Sequence, residues 1–376
     1  MKNNIQPSKL KISVIIPVYN GGEKFHRCLS SLATTSLHPE EIIVVADGDT
    51  DGSWCVAKEF GAKVIRLPTS GGPAKARNLG AKAAKGDILF FIDADVEVHP
   101  DTIAKVENLF TTEPELGAMI GSYDDQPGAG NFLSQYRNLF HHYNHQTASE
   151  EASTFWGACG AIRREVFWAV DGFDQKYRLP CIEDIELGYR IKAAGYKIGL
   201  RKNIQVKHLK EWRTISMLKA DFFCRALPWT ALILRHNQLN NDLNLQYSSR
   251  ISVILVYALI AVLAVTPFLN QALIPACVFG LALLILNAPV YKFFHNQRGL
   301  IFAAKTVPWH WLYYFYSGLA FAIGLIRFKW ENNINFSQSL NKSDFEAVSL
   351  NKNDLFSTYT IDRAQTLVEQ SIGQVN

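Results

Sequence analysis

The sequence predicts an α/β fold with a mostly parallel sheet covered by helices on both faces, followed by apolar helices at a membrane. Three observations predict it. Apolar runs of strand length alternate with helical segments over the first 250 residues. Several of these runs end in turn-forming or acidic residues. No charged residue occurs between Ile251 and Tyr291.

The elements follow in order. "KISVIIPVYN" is a strand ending in a proline-containing turn. Glu23 to Ala33 places Phe25, Cys28, Leu29 and Leu32 at helical spacing. "EIIVVADG" is a second strand and Ser53 to Phe60 a second helix; "AKVIRLP" is a third strand and the alanine-rich Ala74 to Lys85 a third helix. "DILFFIDAD" is a fourth strand. Continuous apolar strands separated by helices imply a buried, parallel sheet. In such sheets ligands bind beyond the carboxyl ends of the strands.

That rule selects Pro17 to Asn20, the turn "DGDTDG" from Asp47, and Asp93-Ala94-Asp95, all on one sheet edge. Ser70-Gly71-Gly72-Pro73 precedes the third helix, whose N-terminus favours anions, and Lys75 and Arg77 add positive charge. The edge therefore offers carboxylates for a metal, and N–H groups with basic residues for phosphate. No G-x-x-x-x-G-K-[ST] occurs, which excludes a P-loop. "DGDTDG" on its own is also a good turn sequence.

Composition narrows the partners. A net charge of +4 over 376 residues does not suggest a nucleic-acid binder. The six cysteines form no C-x-x-C pair, which argues against zinc and redox motifs and for reduced thiols in a cytosolic setting. The polar start "MKNNIQPSKL" does not read as a signal peptide. The uncharged stretch divides near Phe268 into two segments, each of about 19 residues and able to cross a ~30 Å hydrocarbon core. A third, 306–326, carries Trp309, Trp311, Tyr313, Tyr314 and Tyr316, and either spans the membrane or lies along its surface. Lys292, Arg298 and Lys305 mark the loop before it as cytoplasmic, and a hairpin then places the α/β domain on the same side. The expected organisation is a tail (1–10), an α/β domain (11–215), an amphipathic interface region (216–250), transmembrane and interfacial helices (251–330), and a polar, disordered tail (331–376).

"SVIIPVYNGGEKFHRCLSSL", "EIIVVADGDTDGS", "GGPAKARNLGAKAAKGDILFFIDADV", "FWGACGAIRREVFWAVDGFDQKY" and "IEDIELGYRIKAAGYKIG" together resemble a family 2 glycosyltransferase of the GT-A fold, over about residues 10–210. The resemblance implies inverting sugar transfer from a nucleotide sugar (UDP- or GDP-linked) with Mg²⁺ or Mn²⁺. It implies that Pro17, Tyr19 and Asn20 frame the nucleotide, that Asp47 accepts a hydrogen bond from the base, that Asp93 contacts the ribose or the metal's water shell, and that Asp95 ligates the metal. One departure is Ala46-Asp47, where the family often has Asp-Asp.

The chemistry asks for more. A divalent cation neutralises the departing diphosphate. A base must deprotonate the acceptor hydroxyl. Asp184 in Glu183-Asp184, at the start of a predicted helix, is the candidate base, and Glu183 binds or orients the acceptor. The helix dipole alone would also favour two carboxylates there. Gly157, in "WGACG", lets backbone approach the donor. His208 is a further metal ligand, a phosphate contact or a surface histidine. Processive polymer synthases of this family carry Q-x-x-R-W near the membrane region, and no such string occurs. The expectation is a membrane-anchored enzyme that moves one sugar to a lipid-linked or glycan acceptor. The alternatives are a processive polysaccharide synthase, a sugar-phosphate nucleotidyltransferase and a non-catalytic membrane scaffold.

Overall fold

A computed structural model describes residues 9–237 and 241–343, with side chains to residue 330. The chain divides into two units. The first takes in the chain up to Thr214, with Asn241–Asn244 and Pro289–Thr306. The second takes in Ile215–Asn240, Leu245–Ala288 and the chain from Val307.

The first unit runs β1 (Ile12–Val18), α1 (Gly22–Ala33), β2 (Glu41–Asp47), α2 (Ser53–Glu59), β3 (Lys63–Leu67), α3 (Pro73–Ala83), β4 (Ile88–Ile92), β5 (Val96–Val98), α4 (Thr102–Thr112), β6 (Leu116–Tyr123), α5 (Phe132–Thr147), β7 (Cys159–Arg163), α6 (Arg164–Ala169), α7 (Glu183–Ala193) and β8 (Lys197–His208). The strands form one sheet in the order β3-β2-β1-β4-β7-β6-β8-β5. As expected, β1 to β4 are parallel. Beyond them the sheet is mixed: β7 is antiparallel to both β4 and β6, β8 is parallel to β6, and β5 is antiparallel to β8.

The apolar run of β4 is explained by cover on both faces. Ile88, Phe90 and Ile92 pack with Val14, Ile16 and the Phe25, Leu29 and Leu32 face of α1. Leu89 and Phe91 point the other way, to Ile15, Val45, the alanines of α3, Phe167 and Leu187. Side chains alternate in direction, but both directions are core, so no polar alternation remains in the sequence. Each such side chain contributes about 1.5–3 kcal/mol by leaving water.

Later segments complete this unit. Leu243 joins the second core, and Asp242 Oδ2 accepts from Ser153 N and Oγ, each at 3.1 Å. Helix α8 (Thr214–Lys219) leads into a π-helical turn and α9 (Leu227–His236), then α10 (Tyr247–Val265), α11 (Leu273–Leu286), α12 (Ala288–Arg298) and α13 (Leu300–Ser343). Within the first unit, Phe294 of α12 is fully buried, with its ring 5.7 Å from that of Tyr136. Phe302, in the first turn of α13, meets Phe132. Arg298 donates to Gln135 Oε1 at 2.9 Å and to the Asp125 carbonyl at 2.8 Å.

In the second unit Val256, Leu259, Ala276, Leu283 and Tyr314 pack together. A polar triad sits among them: Asn287 donates to Ser252 Oγ at 3.0 Å and accepts from the Tyr314 hydroxyl at 2.8 Å. Ile254, Phe268 and Ile274 are exposed.

Three expectations need correction. The second apolar segment is not one 19-residue helix: α11 has 14 residues, and it meets α12 at a 60° bend. Asn287 ends α11, Pro289 follows, and α12 turns its Phe294 into the core of the first unit. Among the described residues, one helix, α10, is long and apolar enough by itself to cross a membrane; α11 and α12 qualify only together, across the bend. The basic segment expected as a loop is helical, α12 and the start of α13. Helix α13 continues to Ser343, past the expected start of the tail. Residues 1–8 and 344–376 lie outside the described residues.

Candidate active site

Because β1, β2 and β4 are parallel, their carboxyl ends meet one edge, and the residues selected there fall into three groups. The first holds the loops in place. Asn20 takes a left-handed conformation, with φ at 51°, and its Oδ1 accepts from Thr50 N at 2.8 Å. Asp51 accepts from Gly22 N and from Ser53 N and Oγ, joining the starts of α1 and α2. The turn reading of "DGDTDG" is therefore realised.

Asp47 is buried, and it accepts from Ser70 Oγ (2.8 Å), Gly71 N (2.7 Å) and Gly72 N (2.9 Å). The N–H groups expected to face a phosphate point at this carboxylate instead. The anion that the loop before α3 takes is supplied by the chain itself. Gly72 has φ at 87°, and a Cβ on it would lie 1.9 Å from the Arg178 carbonyl oxygen. Only glycine permits that backbone and that approach.

The second group is a buried ionic network. Arg77, expected to face the donor, turns inward and is about 4% exposed. It donates to Glu183 Oε1 and to Asp93 Oδ1, each at 2.8 Å. Glu183 Oε2 accepts from Cys181 N at 2.8 Å. Both oxygens of Glu183 are thus engaged in a buried site. Arg77 straps α3 to the end of β4 and the start of α7. Burial opposes the charge of Arg77, but Asp93, Glu183 and Asp184 outweigh it and raise its pKa.

The third group is open to a ligand. Tyr19 is 60% exposed at the end of β1; Pro17 lies within that strand. Lys75 folds back over Gly71 and has no ion-pair partner among the described residues. Asp184, half-buried, accepts from Gly157 N at 3.0 Å. Gly188, one turn along α7, lets that helix lie on the backbone of Thr154 and Phe155, where a Cβ would come within 2.2 Å of Phe155 N. That close packing brings the Trp156-Gly157 segment to Asp184. Burial and the neighbouring Glu183 charge push the Asp184 carboxyl up to about 6, although Gly157 and Arg77 pull it down.

Asp95 lies between β4 and β5. The antiparallel register pairs Val96 with His208, and Leu209 N donates to the Asp95 carbonyl at 2.8 Å. His208 Nε2 lies 3.6 Å from Asp95 Oδ2. Burial works to raise the Asp95 carboxyl, but His208, Lys210 and Lys24 hold it at about 2. Its carboxylate accepts no hydrogen bond among the described residues. A charged, partly buried carboxylate without a donor beside an imidazole suits a divalent cation that also takes phosphate oxygens. No set of three His, Cys, Asp or Glu side chains among the described residues could hold a metal alone.

Residues 13–171 match the family described as glycosyl transferase family 2. This segment is a family 2 glycosyltransferase domain. Residues 137–214 also match an N-terminal domain of galactosyltransferase. An uncharacterized glycosyltransferase of Escherichia coli K12, YibD, is 43% identical over 94 residues, 24% of this chain and 27% of that protein. The poly(ribitol-phosphate) beta-glucosyltransferase of Bacillus spizizenii is 33% identical over 129 residues, 32% of this chain and 20% of that enzyme. The chain thus spans less than a third of the length of these two relatives. The mannosyltransferase PcManGT of Pyrobaculum calidifontis, solved with GDP-Man and Mn²⁺, has a TM-score of 0.57 at 20% identity, over 81% of this chain and 88% of that one. It shows the shared GT-A fold.

Sequence reasoning missed the surroundings of His208 and Asp95: Asn138, whose Oδ1 lies 2.6 Å from His208 Nδ1, Tyr123, which stacks on the His208 ring, and Lys24 and Lys210, whose charges act on Asp95. Asn138, His141 and His145 share one face of α5 at helical spacing. That stripe was the available signal.

Proposed function

We propose that the chain is a metal-dependent, inverting glycosyltransferase that moves one sugar from a UDP- or GDP-sugar to a hydroxyl of a lipid-linked or glycan acceptor at a membrane. The observation that carries the reading is Asp184: a carboxylate fixed by Gly157 N at 3.0 Å, with its pKa pushed up to about 6. A general base works best near the operating pH. Asp184 takes the proton of the acceptor hydroxyl as its oxygen attacks the anomeric carbon. The bond from that carbon to the diphosphate breaks on the opposite face, which inverts the centre. Glu183, held by Arg77, keeps α7 in place and adds the charge that raises Asp184.

Asp95 and His208 would hold Mg²⁺ or Mn²⁺, with Asp93 reaching its water shell through the oxygen that Arg77 leaves free. The ion supplies Lewis-acid neutralisation of the leaving diphosphate. Lys75 adds a second positive charge on the same side, and Tyr19 offers a ring to the nucleotide base.

A membrane location is supported by α10 and by the exposed isoleucines and leucines of the second unit. The basic segment carrying Lys292, Arg298 and Lys305 packs with the catalytic unit, in keeping with a cytoplasmic site. The test is hydrolysis and transfer with a panel of UDP- and GDP-sugars, with Mn²⁺ and with chelator. One donor is consumed in a metal-dependent way by the wild type and not by Asp184→Asn. Failure to bind or turn over any donor refutes the enzyme reading, and addition of many sugars to one chain refutes single transfer.

A further inference from the structure

We infer that Asn138 is a positioning residue that sets the tautomer of His208, so that the imidazole offers a lone pair beside Asp95; this rests on the metal reading above. His208 is buried at the end of β8. Its Nδ1 lies 2.6 Å from Asn138 Oδ1. An amide oxygen only accepts, so that contact requires the proton on Nδ1. In the neutral ring, the form in which histidine ligates a metal, Nε2 then carries the lone pair. Nε2 stands 3.6 Å from Asp95 Oδ2, beyond hydrogen-bonding reach. Two groups with lone pairs therefore face one gap, which is the arrangement a cation would join.

The ring cannot easily turn out of this position. Tyr123 stacks on it at 4.3 Å between centroids with 7° between planes. Gly128 N donates to the His208 carbonyl at 2.9 Å. Asn138 is itself about 1% exposed, and its Nδ2 has no partner. A buried amide that leaves its donor unpaired while its oxygen meets a histidine acts through the oxygen. With the amide reversed, Nδ1 would be the acceptor and Nε2–H would point at Asp95. The site would then be a hydrogen-bonded pair and not a metal pair, so the orientation of one amide decides which chemistry this edge performs. Metal-binding histidines generally donate their other N–H to a fixed oxygen, and losing that oxygen costs about 10–100-fold in metal affinity.

The experiment titrates Mn²⁺ into the full chain in detergent, with UDP and separately with GDP present, and reads free Mn²⁺ by electron paramagnetic resonance. Asn138→Leu keeps the volume and removes the oxygen; Asn138→Asp keeps an acceptor that cannot donate. The expected result is a Mn²⁺ affinity at least tenfold weaker for Asn138→Leu, and within about threefold of wild type for Asn138→Asp. In a His208→Ala background, Asn138→Leu adds nothing further, because it acts through the ring. Melting curves confirm that each variant is folded. Folded Asn138→Leu that binds Mn²⁺ as wild type does overturns the proposal. So does folded Asn138→Asp that falls as far as Asn138→Leu, since the oxygen would then not be the operative group. Wild type that binds no Mn²⁺ with either nucleotide overturns the metal reading beneath it, a result distinct from the other two.

Discussion

Replacing Asp184 by Asn is expected to move activity and stability in opposite directions. The carboxyl is raised from 3.8 to about 6 in the fold, by burial first and then by the Glu183 charge. Between these two values the folded chain binds a proton that the unfolded chain does not. Below about pH 4 both states hold it, and the site is neutral. As pH rises through 6 the folded state must ionise a half-buried carboxyl, and stability falls. A shift of about 2 units is worth up to about 3 kcal/mol at neutral pH. Asn keeps an acceptor for Gly157 N and carries no charge. Asp184→Asn should therefore raise the melting temperature of the catalytic unit at pH 8 by several degrees, taking ~2–4 °C per kcal/mol, and leave it unchanged at pH 4. Turnover should fall about 10²–10⁴-fold, the usual contribution of a positioned base. In the wild type, kcat/KM should rise with pH to a plateau with its inflection near 6. The assays are thermal unfolding at the two pH values and transfer to a fixed acceptor. A variant that melts earlier at pH 8, or keeps more than a tenth of wild-type turnover, refutes the reasoning.

Asp95→Ala should lower the melting temperature at neutral pH, because the fold holds that carboxyl at about 2 against 3.8 and its charge therefore stabilises the folded state above about pH 4, while Mn²⁺-dependent turnover falls more than 100-fold; equal turnover would remove Asp95 from the metal site. Arg77→Met leaves Glu183 and Asp93 as uncompensated carboxylates, the first of them buried. It should cost about 3–5 kcal/mol in urea unfolding, and Arg77→Lys should not restore the loss, because one ammonium cannot span both acids. Tyr19→Ala should raise the donor KM severalfold with melting unchanged, since the ring is 60% exposed.

Much of the architecture was legible from pattern. The strands β1 to β4 show as apolar runs because both faces of each are covered, and their ends mark the edge where Asp93, Asp95 and Tyr19 gather. Asp184 was legible as a carboxylate at the start of α7, which the structure places against Gly157 N. What pattern could not show depends on distant pairings. Arg77 looks like a phosphate ligand in sequence, and only the approach of Glu183, 106 positions away, reveals it as a strap. That Asp47 also holds the loop of Ser70, Gly71 and Gly72 is visible only once those residues close on it. His208 reaches Asp95 because β5 pairs antiparallel with β8, a register that no local signal encodes. The second apolar segment misled for a related reason: composition reports apolar length, not the bend beyond Asn287.

The chain returns to its first unit twice after leaving it at Thr214. Gene fragments that end near residue 214, the natural cut for a soluble enzyme, would omit Leu243, Phe294 and Arg298. Tyr136 would lose its aromatic cover, Ser153 its carboxylate and Gln135 its guanidinium partner. The first unit is therefore not a cassette that recombination can lift out at residue 214, and the segments that follow must be inherited, expressed and purified with it as one piece.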